Sequence, residues 1–197
     1  MKKSISTFAA VLTALLTACA QPEVPAERFY RLQIQPPEAS LPQPGIQGVV
    51  EVTFTAEGIV DDRNINYSKA ETPNEVSGYT YRLWHKPPKV MLRDQLIAYL
   101  RAAGVAQKVV APEKRASPQY LINGQIKRLE MIDGSVPHAI VALELALVEA
   151  RTDKLLTLGV YDVSVTARSN AVADAVAAME KALADIFAKF VEDIKKM

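Results

Sequence analysis

The sequence is poor in the residues that most chemistry requires. Its 197 positions hold one cysteine, two histidines, one tryptophan and eight glycines. The single thiol, Cys19, excludes any intramolecular disulfide, so the fold must rest on its packed core. His85 and His138 stand far apart, with no ligand partner three or four residues away, and leave no metal-binding pattern. The glycines do not gather into a phosphate-cradling loop or a dinucleotide fingerprint, and no G-x-S-x-G elbow occurs. An excess of one charge is missing too. Lys and Arg number 23 against 22 Asp and Glu, and the basic residues are scattered singly. Neither a nucleic acid nor an anionic bilayer surface meets the basic patch it would need. Acidic neighbours such as Asp61 and Asp62, or Glu144 and Glu149 within one strand, fit solvated positions better than an acid–base pair. The residues therefore predict a protein that is not an enzyme and that carries no metal, no cofactor and no nucleic-acid partner.

What is present begins at the N-terminus. Lys2 and Lys3 precede an uncharged run from Ser4 to Ala18. That run is shorter than the roughly 20 apolar residues of a membrane-spanning helix and has the layout of a cleaved signal peptide. Leu16, Thr17, Ala18 and Cys19 resemble the bacterial lipobox, which predicts removal of residues 1–18 and lipidation of Cys19 by diacylglycerol and palmitate-type acyl chains. Each buried methylene contributes about 0.8 kcal/mol, so two or three chains anchor stably where one would not. Residues 19–27, with Pro22 and Pro25, read as a tether. Extended at about 3.3–3.6 Å per residue, it would hold the folded part up to roughly 30 Å from the lipid. Residues 28–197 read as a single domain.

Alternation of apolar residues predicts strands over Phe29–Ile34, Gly48–Thr55, Arg63–Lys69 and Tyr79–Trp84, with a loop over Ala70–Gly78. Pro87 and Pro88 open a helix over Lys89–Ala103, whose Leu92, Leu96, Ile97 and Leu100 share a face and which Gly104 ends. Gln107–Ala111 is a short strand. Three longer strands follow at Gln119–Asp133, Pro137–Arg151 and Lys154–Arg168, the first and third with a parity slip that predicts a bulge, the second apolar on both faces and so central. A last helix runs over Ala171–Lys195 with Asn170 as its expected N-cap, and its stripe from Val172 to Ile194 reads as core. These elements predict an α+β fold: a largely antiparallel sheet with two main amphipathic helices packed on it.

One segment stands out: Tyr79, Tyr81 and Trp84 run into His85, Lys86, Pro87 and Pro88. Trp84 either staples the first helix to the sheet or, with Tyr81, Pro87 and Pro88, belongs to a partner-binding surface. The order of features also resembles a known family, the auxiliary lipoproteins of ABC-type transport systems. The resemblance is carried by the lipobox, then Phe29, Tyr30 and Leu32, then Asp62, Arg63, Ile65 and Tyr67, then the run from Tyr81 to Pro88 leading into the helix that ends Arg101, Ala102, Ala103, Gly104. Ser68 and Lys69 stand where the resemblance leads one to expect an arginine. It implies a component of an envelope lipid-transport machine, with an MCE-domain protein or an ABC permease as partner, attachment to the membrane through the lipid anchor, and a homo-oligomer as an option. Ala20, in place of an aspartate after Cys19, favours the periplasmic face of the outer membrane. The competing reading is an outer-membrane assembly lipoprotein serving lipopolysaccharide or outer-membrane protein insertion.

Overall fold

A computed structural model describes residues 24–197; Cys19, the signal segment and most of the tether lie outside the described residues. One eight-stranded sheet carries two long helices on a single face. The strands are β1 (Arg28–Tyr30), β2 (Ile46–Ala56), β3 (Asn64–Lys69), β4 (Thr72–Trp84), β5 (Ala106–Val110), β6 (Tyr120–Asp133), β7 (His138–Glu149) and β8 (Lys154–Thr166). The helices are α1 (Pro88–Ala102) and α2 (Val172–Lys195).

β6 organises the sheet. Along one edge it pairs antiparallel with β7 over its whole length. Its other edge is divided: Tyr120–Ile126 pairs with β2, and Glu130–Asp133 pairs with β3. The sheet therefore forks, one arm running β2–β5 and the other β3–β4–β1. The fork falls at the bulge expected in this strand, where Lys127 is the extra residue between the pairs Ile126↔Leu143 and Arg128↔Ala142. The second expected bulge is in β8, where Leu156 has no partner between Leu147↔Thr157 and Val148↔Leu155. β7 lies between β6 and β8 as expected, with Ala139, Val141, Leu143, Leu145 and Leu147 buried toward the helices. On its other face Ala142 is buried, while Ile140 and Val148 are half covered.

The expectation of a largely antiparallel sheet needs correction. β3–β4, β6–β7 and β7–β8 are antiparallel, but β1–β4, β2–β5, β2–β6 and β3–β6 are parallel. The antiparallel pairs are those joined by tight turns. The parallel ones need crossovers, and local alternation does not say which distant edge a strand will meet. The first strand is also shorter than expected. After Tyr30 the chain leaves the sheet, and the backbone N–H groups of Gln33 and Ile34 donate to the side chains of Glu180 (2.7 Å) and Gln95 (3.0 Å) on the two helices.

α1 lies over β2 and β5, and α2 over β7 and β8. Pro88 occupies the first turn of α1, where a missing N–H costs nothing, and Gly104 takes φ 67° just past its end. Leu92, Leu96, Ile97 and Leu100 are buried beneath it. The α2 stripe is core from Val172 to Ile194, and the helices touch where Tyr99 meets Phe187 edge-on at 5.6 Å. Asn170 is not the cap of α2. Ala171 holds that position, and the Asn170 amide instead clamps the β6–β7 turn, accepting from the Gly134 N–H (3.2 Å) and donating to its carbonyl (3.1 Å). Ser169 serves the helix entry: its hydroxyl accepts from the Ala171 N–H (3.1 Å) and donates to Asp174 (2.6 Å).

Candidate functional site

The feature with most chemical character is a cavity of about 660 Å³ where β1, β3, β4 and the start of α2 converge. Its lining includes four tyrosines, Tyr30, Tyr67, Tyr79 and Tyr81, two arginines, Arg28 and Arg82, and Pro25 from the tether.

A local irregularity of β4 builds it. Between the pairs Asn64↔Leu83 and Asn66↔Gly78, β4 advances five positions while β3 advances two. The surplus, Tyr79 to Tyr81, bows out of the ladder and into the cavity lining. The bow is held at its base, where the Asn64 side-chain amide donates to the Tyr79 carbonyl at 2.8 Å. Gly78 permits it, because a Cβ there would stand 2.9 Å from the Asn64 Cβ. The Tyr67 and Tyr79 rings then lie together, centroids 4.3 Å apart and tilted by 31°. Burial raises the Tyr79 hydroxyl pKa, and the negative charge of Asp133 adds to the rise, while Arg82 opposes it. Tyr79 is thus a neutral hydrogen-bonding group rather than a base.

Arg28 and Arg82 are register partners on the parallel pair β1–β4 and so stand side by side. Neither forms an ion pair among the described residues; Arg82 makes one hydrogen bond, to the Tyr81 carbonyl at 3.3 Å. The arrangement offers two cations, phenolic hydroxyls and aromatic surface, a set suited to holding an amphipathic ligand.

Of the residues expected to contact a partner, Tyr81 lines the cavity and is half exposed, and Pro87 is half exposed at the mouth of α1. Trp84 is 1 % exposed and Pro88 is buried as well, so the fold itself encloses both. Trp84 lies in the core that both helices share; its backbone N–H donates to the Arg63 carbonyl at 2.6 Å, and the Arg63 guanidinium donates back to the carbonyls of Trp84 (3.0 Å) and His85 (3.2 Å). The same guanidinium lies 5.5 Å from the Phe29 ring centroid. Phe29, Arg63, Trp84 and His85 therefore form a strut, and Tyr30, Tyr67, Tyr81 and Arg82 face the cavity behind it. Arg28 and the role of the bulge escape a reading by strand alternation, which names Tyr79 and does not bring it to Tyr67. The signal that could have found them is the clustering of tyrosines in three short motifs around Gly78. Both histidines lie outside the cavity lining: His85 Nδ1 sits 3.3 Å from the Tyr30 carbonyl and His138 Nδ1 sits 3.1 Å from that of Val136. Among the described residues no three His, Cys, Asp or Glu side chains gather as a metal site, and no helix is long and apolar enough to cross a membrane.

Residues 30–190 match the family described as the ABC-type transport auxiliary lipoprotein component. No curated protein matches in sequence. A crystal structure of a protein from Xanthomonas campestris shares the fold, with a TM-score of 0.70 at 23 % identity over 83 % of this chain and 92 % of that one. A crystal structure of an uncharacterized protein does so with a TM-score of 0.68 at 13 % identity, over 86 % of this chain and 99 % of the other.

Proposed function

The chain belongs to the family of ABC-type transport auxiliary lipoprotein components, and on that premise we propose that it is the non-enzymatic, lipid-anchored periplasmic auxiliary of an ABC transport system that moves lipid with an MCE-domain partner. The observation that carries the reading is the extent of the family match, which runs from Tyr30 in β1 to Phe190 in α2 and so takes in both arms of the sheet and both helices. The near balance of charge gives the folded part no affinity of its own for an anionic surface, so attachment falls to acyl chains on Cys19. Ala20 after that cysteine supports placement on the outer membrane, facing the periplasm. Tyr81 and Pro87, half exposed where Trp84 and Pro88 are buried, are the contacts we assign to the MCE-domain or permease partner. Such a surface also serves copies of the chain arranged as a homo-oligomer that continues a channel.

Deletion of the gene tests the role. The expected result is a permeable envelope and altered lipid traffic, restored by the intact chain and not by Cys19→Ala. An envelope of normal permeability and lipid distribution in the deletion strain would overturn the assignment.

A further inference from the structure

We infer that the tyrosine cavity holds the phosphate-bearing headgroup of one phospholipid, its phosphate between Arg28 and Arg82 and its glycerol and first acyl carbons against the tyrosine rings. The inference deepens the transport reading above and rests on it. Arg28 and Arg82 are opposite one another on neighbouring parallel strands, whose backbones run about 4.8 Å apart. Two guanidinium groups that emerge at that spacing can grip one phosphate from two sides, which is the geometry for which arginine is better suited than lysine. The walls are amphipathic rather than polar: Tyr30, Tyr67 and Tyr79 each pack part of their ring against the core while lining the cavity. A small polar anion would leave that aromatic surface unused, whereas a headgroup continued by apolar carbons covers it.

Position points to the same ligand. Pro25, at the rim, is six residues from Cys19, a span of at most about 20 Å. With acyl chains on Cys19 the cavity opens within reach of the bilayer surface, where headgroups are the phosphates at hand. The volume, about 660 Å³, lies within the range of pockets that enclose small amphipathic molecules, about 300–1,000 Å³. Asp133, whose charge reaches Tyr79, is the carboxylate on that flank and is not part of the lining. Asp174, in the first turn of α2, is engaged by Ser169 and Arg168.

The test uses the full chain in growing cells. A photoreactive benzoylphenylalanine is placed at position 81, or as a control at the exposed position 136, and lipids are labelled with radioactive phosphate. Irradiation should label the chain through position 81 alone, and phospholipase C should release the label. The double variant Arg28→Ala with Arg82→Ala should lower labelling about 10-fold or more, the loss expected when two charge-assisted bonds to phosphate disappear. Arg82→Lys, which keeps the charge, should retain most of it, and equal amounts of each variant in the membrane show that folding is intact. Label no stronger at position 81 than at 136, label unaffected by the double variant, or label that resists phospholipase C and so marks a free phosphate metabolite, would each overturn the site. Loss of labelling with partner capture intact would remove the headgroup site and leave the transport role standing; capture lost with labelling intact would do the reverse.

Discussion

At the scale of single residues, Trp84 and Tyr81 separate structural from functional roles within one motif. Trp84 is enclosed, its ring among the largest fully buried side chains of the core. Trp84→Ala should therefore cost about 3–5 kcal/mol of stability, while the half-exposed Tyr81→Ala should cost about 1 kcal/mol. Urea denaturation of the two variants checks this, and equal losses would contradict it. Sequence alone left both roles open for Trp84, because an aromatic at a strand end is equally compatible with core and with interface until its neighbours are known. Asp174 offers a second test at this scale. Its hydrogen bond from Ser169, and then the charge of Arg168, hold its carboxyl below the ordinary range. A carboxylate whose pKa is depressed by folding adds stability that is present above its unfolded pKa of about 3.9 and is lost as pH falls through the folded value. Asp174→Asn should accordingly flatten the acid side of a plot of urea midpoint against pH below about pH 4, leaving the neutral region little changed in slope. A parallel displacement of the two curves would show that the ion pair plays no part.

Among the elements, β4 departs furthest from what its residues suggest. Ala70–Gly78 reads as a loop because it is polar and contains Pro73 and Asn74, yet strand resumes at Thr72 after a turn of Ala70 and Glu71. Thr72 to Glu75 are exposed, as is Val76, so the tip of the β3–β4 hairpin has no buried face to impose alternation. The period-2 signal that identifies a half-buried strand was absent for that physical reason. β6, β7 and β8 were legible, bulges included, because one face of each is packed and a slip of parity must appear as an extra residue. The cavity was hidden for another reason: Tyr79 to Tyr81 lie where the register with β3 slips, and their meeting with Tyr30 and Tyr67 depends on pairings between distant strands that local sequence does not encode. Gly78→Ala tests the bulge directly. With 2.9 Å between the new Cβ and that of Asn64, backbone must shift, and the expected cost is about 1–3 kcal/mol. Labelling through position 81 should fall as well; a variant of wild-type stability would show that the bow does not depend on this close approach.

For the whole molecule, the distribution of roles follows from the forked sheet. One arm, β2–β5 under α1, and the β6–β8 meander under α2 supply the closed core, while the β3–β4–β1 arm carries the strut, the cavity and the tether at one end. Cys19→Ser should release the chain from membrane to soluble fractions on ultracentrifugation, and persistence in the membrane would point to a second means of attachment. The family was legible because its short motifs stand in a fixed order along the chain, and those from Phe29 to Trp84 lie on the neighbouring strands β1, β3 and β4. The measurement that bears most directly on the account is affinity capture of the tagged full chain from envelope membranes, with the bound proteins identified by mass spectrometry. The account predicts recovery of an MCE-domain protein or its permease, diminished when Tyr81 and Pro87 are replaced. Recovery of outer-membrane assembly factors alone would contradict it and transfer the chain to the lipopolysaccharide or outer-membrane protein insertion machinery.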